Sequence, residues 1–376
     1  MSVFVISCGG TGGHLAPGIA LAEALQAHGH TCHLIISRKE VDSRLISKYG
    51  HLDFVRSPGV SFSWHPVGLV RFAVELMRGL AFARRFLREK KPQAMLGFGG
   101  YITVAMTLAA TMARIPVVLH EANRRPGKAV RFLSGLARRI YLPPGVRLRG
   151  IPPGTVRECG FPLRREIMRT PRDEARQRLS MPLKGKLLMV MGGSQGAAPL
   201  NEWVSENYKR LARHDIHVLC YTGLGKHEEA EMEVTGLDGK SVKVAFRSFC
   251  DDMASALSAA DLVVSRAGAG SIAEYMRCRL PAILVPYPYA ADNHQWENAR
   301  YFEQQGGGLV IDQGNLETLL DEVVELINNE WLLERFARNL ERLDRFSSKR
   351  YIINDLEALS RSSDNTFGRD NERVAL

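Results

Sequence analysis

The 376-residue chain contains no C-x-x-C pair and no His/Cys cluster at metal-ligand spacing; its six cysteines (Cys8, Cys32, Cys159, Cys220, Cys250, Cys278) are scattered. That excludes a zinc ribbon or a disulfide framework and predicts reduced, mostly buried thiols. No G-x-x-x-x-G-K-[ST] occurs, because Gly239-Lys240-Ser241 has Val234 where the first glycine would stand, so P-loop phosphoryl transfer is set aside. D-x-D is also missing, so no metal held by that motif is available; no metal site and no cofactor is expected. Long apolar runs are lacking too. The longest, Tyr101 to Ala113, stops at Arg114, short of the roughly 18 to 20 residues a membrane span needs. The opening Met1 to Cys8 carries no basic leader and is expected to be a first strand, with the chain staying in the cytoplasm. Acidic residues are scarce in one half only. Residues 1–160 hold 22 Lys/Arg against 8 Asp/Glu (+14), residues 161–376 hold 28 against 32 (−4). The basic half points to an anionic surface or ligand, whether nucleic acid, acidic lipid or phosphate.

What is present fits an ordinary soluble globular mixture, 45% hydrophobic and 24% charged. The length suggests two domains. Short apolar runs alternate with amphipathic stretches, the mark of α/β units around parallel sheets. Strands are predicted at residues 3–8, 32–36, 94–97, 117–120 and 139–142, then at 186–191, 217–221, 242–246, 262–265 and 282–285. Both halves open alike: an apolar strand runs into Gly9-Gly10-Thr11-Gly12-Gly13 in one and Gly192-Gly193-Ser194-Gln195-Gly196 in the other. The fold class is therefore α/β with two Rossmann-like domains: residues 1–162, then 163–345, followed by a terminal helix over 346–360. The polar stretch 361–376 is expected to be unstructured.

Glycines after a strand let backbone N–H groups approach an anion, and the helix that follows adds its positive end. A third loop, Gly268-Ala269-Gly270-Ser271-Ile272-Ala273, matches G-x-G-x-x-A behind the strand at 262–265. Each loop by itself could be a tight turn with no ligand; three together favour a phosphorylated ligand held between two domains. His14 begins a helix beside the first loop, where it could act as a base or an electrostatic partner. Glu274 could accept hydrogen bonds from a ribose diol or simply face solvent. Further polar residues flank the loops: Glu121, Asn123, Arg164, and the group Asp292, His294, Gln295 and Asn298. From residue 69 on, Leu69, Phe72, Leu76, Leu80, Ala83 and Leu87 form one helical stripe, with Arg71, Arg78 and Arg85 on another face and Phe62 and Trp64 just before. Such a helix packs on a sheet, lies on an anionic leaflet, or does both with different faces.

Taken together, Gly9 to Gly18, Gly97-Phe98-Gly99-Gly100-Tyr101, His120-Glu121-Ala122-Asn123, Gly192 to Ala197 and Asp292-Asn293-His294-Gln295 resemble, in order and spacing over residues 3–355, the MurG family of bacterial N-acetylglucosaminyltransferases, which convert lipid I to lipid II in peptidoglycan synthesis. The resemblance implies a GT-B enzyme that moves GlcNAc from UDP-GlcNAc to the MurNAc 4-hydroxyl with inversion. It implies that Ser194 and Gln195 face the donor diphosphate, Glu274 the ribose, Gln295 the sugar hydroxyls and the Cys250 main chain the uracil, with Thr11, Gly12, Gly13, Asn123 and Arg164 lining the donor and acceptor cleft. Ala269, Gly270 and Ser271 join the donor set, Gly10 and Tyr101 the acceptor diphosphate. His14 is the first candidate base and Glu121 the second, unless His14 only binds the acceptor diphosphate. UDP-GlcNAc, lipid I and an anionic membrane surface are the expected partners, with other cell-wall proteins as candidates. Peripheral attachment to the cytoplasmic face, through Trp64, Leu69, Phe72, Arg78 and Arg85, is the expected location. The rivals are another UDP-sugar enzyme, such as a glycolipid glycosyltransferase or an epimerase, and a basic nucleic-acid-binding protein, which lacks any recognisable recognition module here.

Overall fold

The computed structural model describes residues 1–9, 12–37, 43–59, 65–193, 196–237, 239–344 and 348–372. It divides into two units: residues 1–122, 126–165 and the chain from 346 on, and residues 123–125 with 166–345. The crossover thus falls three residues beyond the expected one, and the terminal helix belongs to the first unit.

The first unit is built on strands β1 (Val3–Ser7), β2 (Thr31–Ile36), β3 (Asp53–Arg56), β4 (Ala94–Gly97), β5 (Val117–His120), β6 (Arg139–Leu142) and β7 (Val156–Glu158). They pair in the order β3-β2-β1-β4-β5-β6-β7, all parallel. Side chains alternate across a strand, so a strand buried on both faces reads as an unbroken apolar run. In β1, Phe4 and Ile6 join the core formed with the helix Gly12–Ala27 and with Ile352, Ile353, Leu356 and Leu359 of the C-terminal helix. Val5, between them, faces the helices Pro66–Lys90, Tyr101–Met112 and Lys128–Leu133. The C-terminal helix, Ser348–Glu372, is held by polar contacts as well: the Tyr141 hydroxyl donates to Asp355 at 2.8 Å and the His30 ring lies 3.1 Å from Glu357. It runs twelve residues beyond its expected end at 360, because extending a formed helix costs no new nucleation even where the sequence is polar.

The second unit comprises β8 (Lys186–Met191), β9 (Ile216–Tyr221), β10 (Ala230–Thr235), β11 (Ser241–Arg247), β12 (Leu262–Ser265), β13 (Ala282–Leu284) and β14 (Gly308–Val310), ordered β10-β11-β9-β8-β12-β13-β14. Only β10 is antiparallel. All ten predicted strands are present to within a residue or two. The four that sequence reasoning did not find (β3, β7, β10, β14) are the edge strands of the two sheets, and three of them have only three or four residues. β10 alternates half-buried Ala, Met and Val with exposed Glu and Thr, too weakly apolar to stand out.

Candidate active site

In each sheet the strand order reverses at one place, between β1 and β4 and between β8 and β12. Ligands of such sheets bind outside the carboxyl ends of the strands at that switch point. The turns leaving these four strands are the glycine loops: Gly9, Gly99-Gly100, Gly192-Gly193 and Gly268. The second-unit turn requires its glycines, since a Cβ on Gly192 would meet the Ala197 nitrogen at 2.1 Å and one on Gly196, at φ +69°, would meet the Thr222 carbonyl oxygen at 2.1 Å. Helices start at Gly12, Tyr101, Ala198 and Ala269 directly behind the loops, and none has an acidic residue in its first turn. The last three have no side-chain cap on their first amides, whereas Asp252 and Asn329 cap other helices of the second unit. Uncapped N-termini beside glycine turns leave backbone donors for an anion. Gly10, Thr11, Ser194 and Gln195 lie outside the described residues.

At the first switch point His14 is half-buried in the opening turn of its helix, behind Gly12 and Gly13. Its ring lies against the Gly99-Gly100 turn: a Cβ on Gly99 would be 3.3 Å from Nε2 and one on Gly100 3.6 Å from Nδ1. Tyr101 starts the next helix and packs against Gly59. Glu121, 7% exposed at the carboxyl end of β5, accepts a hydrogen bond from the Gly127 amide at 2.7 Å and so holds its own loop. The neighbouring His120 is buried between Phe98, Tyr141 and Phe161, and that burial pulls its pKa down to about 4, opposed by a contact with the Gly160 carbonyl. Arg164 is half-buried just before the chain leaves the first unit.

In the second unit one helix, His294–Gln304, organises the site. Gln295, Asn298 and Tyr301 are spaced by three and share a face. Gln295 Oε1 accepts from the amides of Ala267 (3.2 Å) and Tyr287 (2.9 Å), which turns its amino group the other way. Asn298, 3% exposed, donates to Asn123 Oδ1 and the Ala267 carbonyl and accepts from the Arg124 amide at 2.9 Å. The Arg124 guanidinium lies 3.7 Å from the Tyr301 ring centre. Ala267 immediately precedes Gly268, so Gln295 and Asn298 fix the turn that presents Ala269, Gly270 and Ser271 at the helix start, with Glu274 half-buried one turn on. The sequence signals Asn298 only through its spacing of three from Gln295, which puts both on one helix face. Cys250 follows β11, its thiol pushed up to about 11 mainly by burial, beside a cavity of about 600 Å³ whose lining includes Tyr221, Phe246, Arg247 and Phe249. Among the described residues no group of three or more His, Cys, Asp or Glu could hold a metal ion.

On the helix Pro66–Lys90, the membrane candidates Leu69, Arg78 and Arg85 are exposed and Phe72 is half-buried, while of the rest of the apolar stripe Leu76 and Leu80 are half-buried and Ala83 and Leu87 buried. That stripe packs inward because it faces the helix Tyr101–Met112 across the sheet's cover. Val70, Val74 and Met77, on the adjoining face, are 65%, 45% and 67% exposed, and Arg71, Arg78, Arg84, Arg85 and Arg88 flank or extend that face. Met112, Phe132 and Leu136, on or next to the two neighbouring helices, are exposed as well. Phe62 and Trp64 lie outside the described residues, and among the described residues no helix is long and apolar enough to cross a membrane.

The model of the glycosyltransferase family 28 N-terminal domain matches residues 4–142 and that of the C-terminal domain residues 187–349. A UDP-N-acetylglucosamine–N-acetylmuramyl-(pentapeptide) pyrophosphoryl-undecaprenol N-acetylglucosamine transferase of Opitutus terrae is 52% identical over 362 residues, 96% of each chain. One of the same description from Halothermothrix orenii is 33% identical, covering 96% of this chain and 99% of its own. The crystal structure of Acinetobacter baumannii MurG superposes with a TM-score of 0.72 at 22% identity over 95% of this chain and 99% of that one. The chain belongs to glycosyltransferase family 28 and, within it, to the MurG transferases, in place of the rival reading as a basic nucleic-acid-binding protein.

Proposed function

We propose that this protein transfers GlcNAc from UDP-GlcNAc to the 4-hydroxyl of the MurNAc residue of lipid I, giving lipid II with inversion at the sugar carbon. The observation that carries the reading at the level of chemistry is the uncapped helix start at Gly268-Ala269-Gly270-Ser271, braced by Gln295 and Asn298 at the switch point of the second sheet. UDP leaves as a diphosphate, and its charge grows as the C1–O bond breaks. Backbone amides already aimed at that charge stabilise the transition state without rearranging. The Gln295 amino group, turned away from the two backbone amides that its oxygen accepts, donates to a GlcNAc hydroxyl. Glu274 accepts from the ribose diol, and the uracil lies along the main chain at Cys250, where the adjoining cavity offers room. In the first unit His14 accepts the proton of the MurNAc 4-hydroxyl as that oxygen attacks C1. Glu121, tied to Gly127 through one carboxylate oxygen, shapes the loop after β5 and stands second to His14 as the base.

The basic first unit meets the acceptor's surroundings. We place the contact with an anionic leaflet on Val70, Val74, Met77 and Phe132, with the flanking arginines contributing on the order of 1 kcal/mol each near the surface. The decisive assay incubates the purified protein with UDP-[14C]GlcNAc and lipid I. Label is expected in an extractable disaccharide lipid, and its absence under conditions that bind UDP would remove the proposed reaction.

A further inference from the structure

Two buried hydroxyls meet at the carboxyl end of β1. Ser7, the last residue of β1, and Thr103, in the first turn of the helix Tyr101–Met112, are both fully buried, and their oxygens are 3.1 Å apart. Thr103 Oγ1 donates its only proton to the Gly99 carbonyl at 2.6 Å, so Ser7 must be the donor in the pair. The result is a directed chain, Ser7 to Thr103 to Gly99. It ends on the turn whose two residues, Gly99 and Gly100, stand at φ +95° and +79° and lie against both ring nitrogens of His14. A side chain on Gly100 would also meet the Gly9 carbonyl oxygen at 2.5 Å. Burying two hydroxyls is costly unless each is bonded, and packing alone would be served as well by Val and Ala.

We propose that this buried chain fixes the seat of the His14 imidazole, which makes Thr103 a positioning residue for proton transfer. The inference rests on the reading of His14 as the base. Thr103→Val removes the donor at nearly constant size and Thr103→Ser keeps it. With UDP-GlcNAc and lipid I, Thr103→Val is expected to lower kcat about tenfold with donor KM unchanged, and Thr103→Ser to restore it. In a His14→Ala background Thr103→Val should cost nothing further, because residues acting as one unit are not additive. Wild-type turnover in Thr103→Val, or an equally large loss with His14 already removed, overturns the positioning role while leaving the base intact. Full activity in His14→Ala overturns the base reading and the proposal with it. Should Thr103→Val not fold, Ser7→Ala carries the test: a loss of about threefold that vanishes in the His14→Ala background supports the chain, and unchanged turnover overturns it.

Discussion

His14 and Gln295 each combine a structural seat with a proposed role toward substrate, and substitution separates the two. Replacing His14 with Ala should lower kcat by about 10² or more, the range typical of a lost general base, and leave UDP affinity, measured by calorimetric titration, within twofold. An equal loss in UDP affinity with kcat preserved would make His14 a ligand only. Gln295→Glu keeps an oxygen for the amides of Ala267 and Tyr287 but deletes the amino group. It should raise donor KM with little change in melting temperature. Gln295→Leu strands both amides and should also destabilise the protein by about 1–3 kcal/mol. Unchanged donor KM in Gln295→Glu would remove the sugar contact. His120 gives a pH signature. Its folded pKa of about 4 lies below the ordinary 6.5, so the native state binds fewer protons than the unfolded state between those values. Stability is therefore unaffected above about pH 6.5 and falls as pH is lowered from there to about 4, by up to roughly 1.4 kcal/mol per unit. Denaturant unfolding of His120→Gln should show a shallower acid limb. An identical slope would mean that His120 is protonated in the native state.

At the scale of elements, the helix Pro66–Lys90 shows what periodicity conveys and what it leaves open. The stripe from Leu69 to Leu87 was legible as helical, but a helix covering a sheet has one inward face and this stripe is it. The exposed set of Val70, Val74 and Met77 has the same spacing and differs only in which way it points, information that lies in the partner helices. Val70, Val74 and Met77 changed together to Ser should abolish sedimentation with anionic vesicles and spare transfer to a short-chain soluble acceptor. Retained vesicle binding would move the membrane contact to another face. Central strands were readable because burial on both faces forces a continuous apolar run; β3, β7 and β14 escaped notice as three- or four-residue edge segments that bury less. The glycine loops were readable because the chain passes itself closely there: a Cβ on Gly9, Gly100, Gly192 or Gly196 would run into backbone atoms. The brace formed by Asn298 was not assigned, since a lone Asn in a helix has many uses and only the fold brings it to Ala267 and Asn123.

At the scale of the whole molecule, both units carry the strand order that puts one switch point in each sheet, and they differ in charge, +14 over residues 1–160 against −4 over the rest. That division fits a first unit serving a lipid diphosphate at an anionic surface and a second serving a nucleotide through neutral amides. If the donor nucleotide belongs to the second unit, saturating UDP should stabilise that unit, by about 2.7 kcal/mol at a hundredfold excess over Kd, and leave hydrogen exchange in β1, β4 and β5 unchanged; protection confined to those strands would reverse the assignment. We propose that bare backbone amides at the second switch point receive the departing diphosphate, and a crystal structure with UDP bound decides it. The diphosphate is expected within hydrogen-bond distance of the amides of Ala269, Gly270 or Ser271, with the ribose toward Glu274; a diphosphate bound in the first unit, or away from this helix start, would overturn that placement.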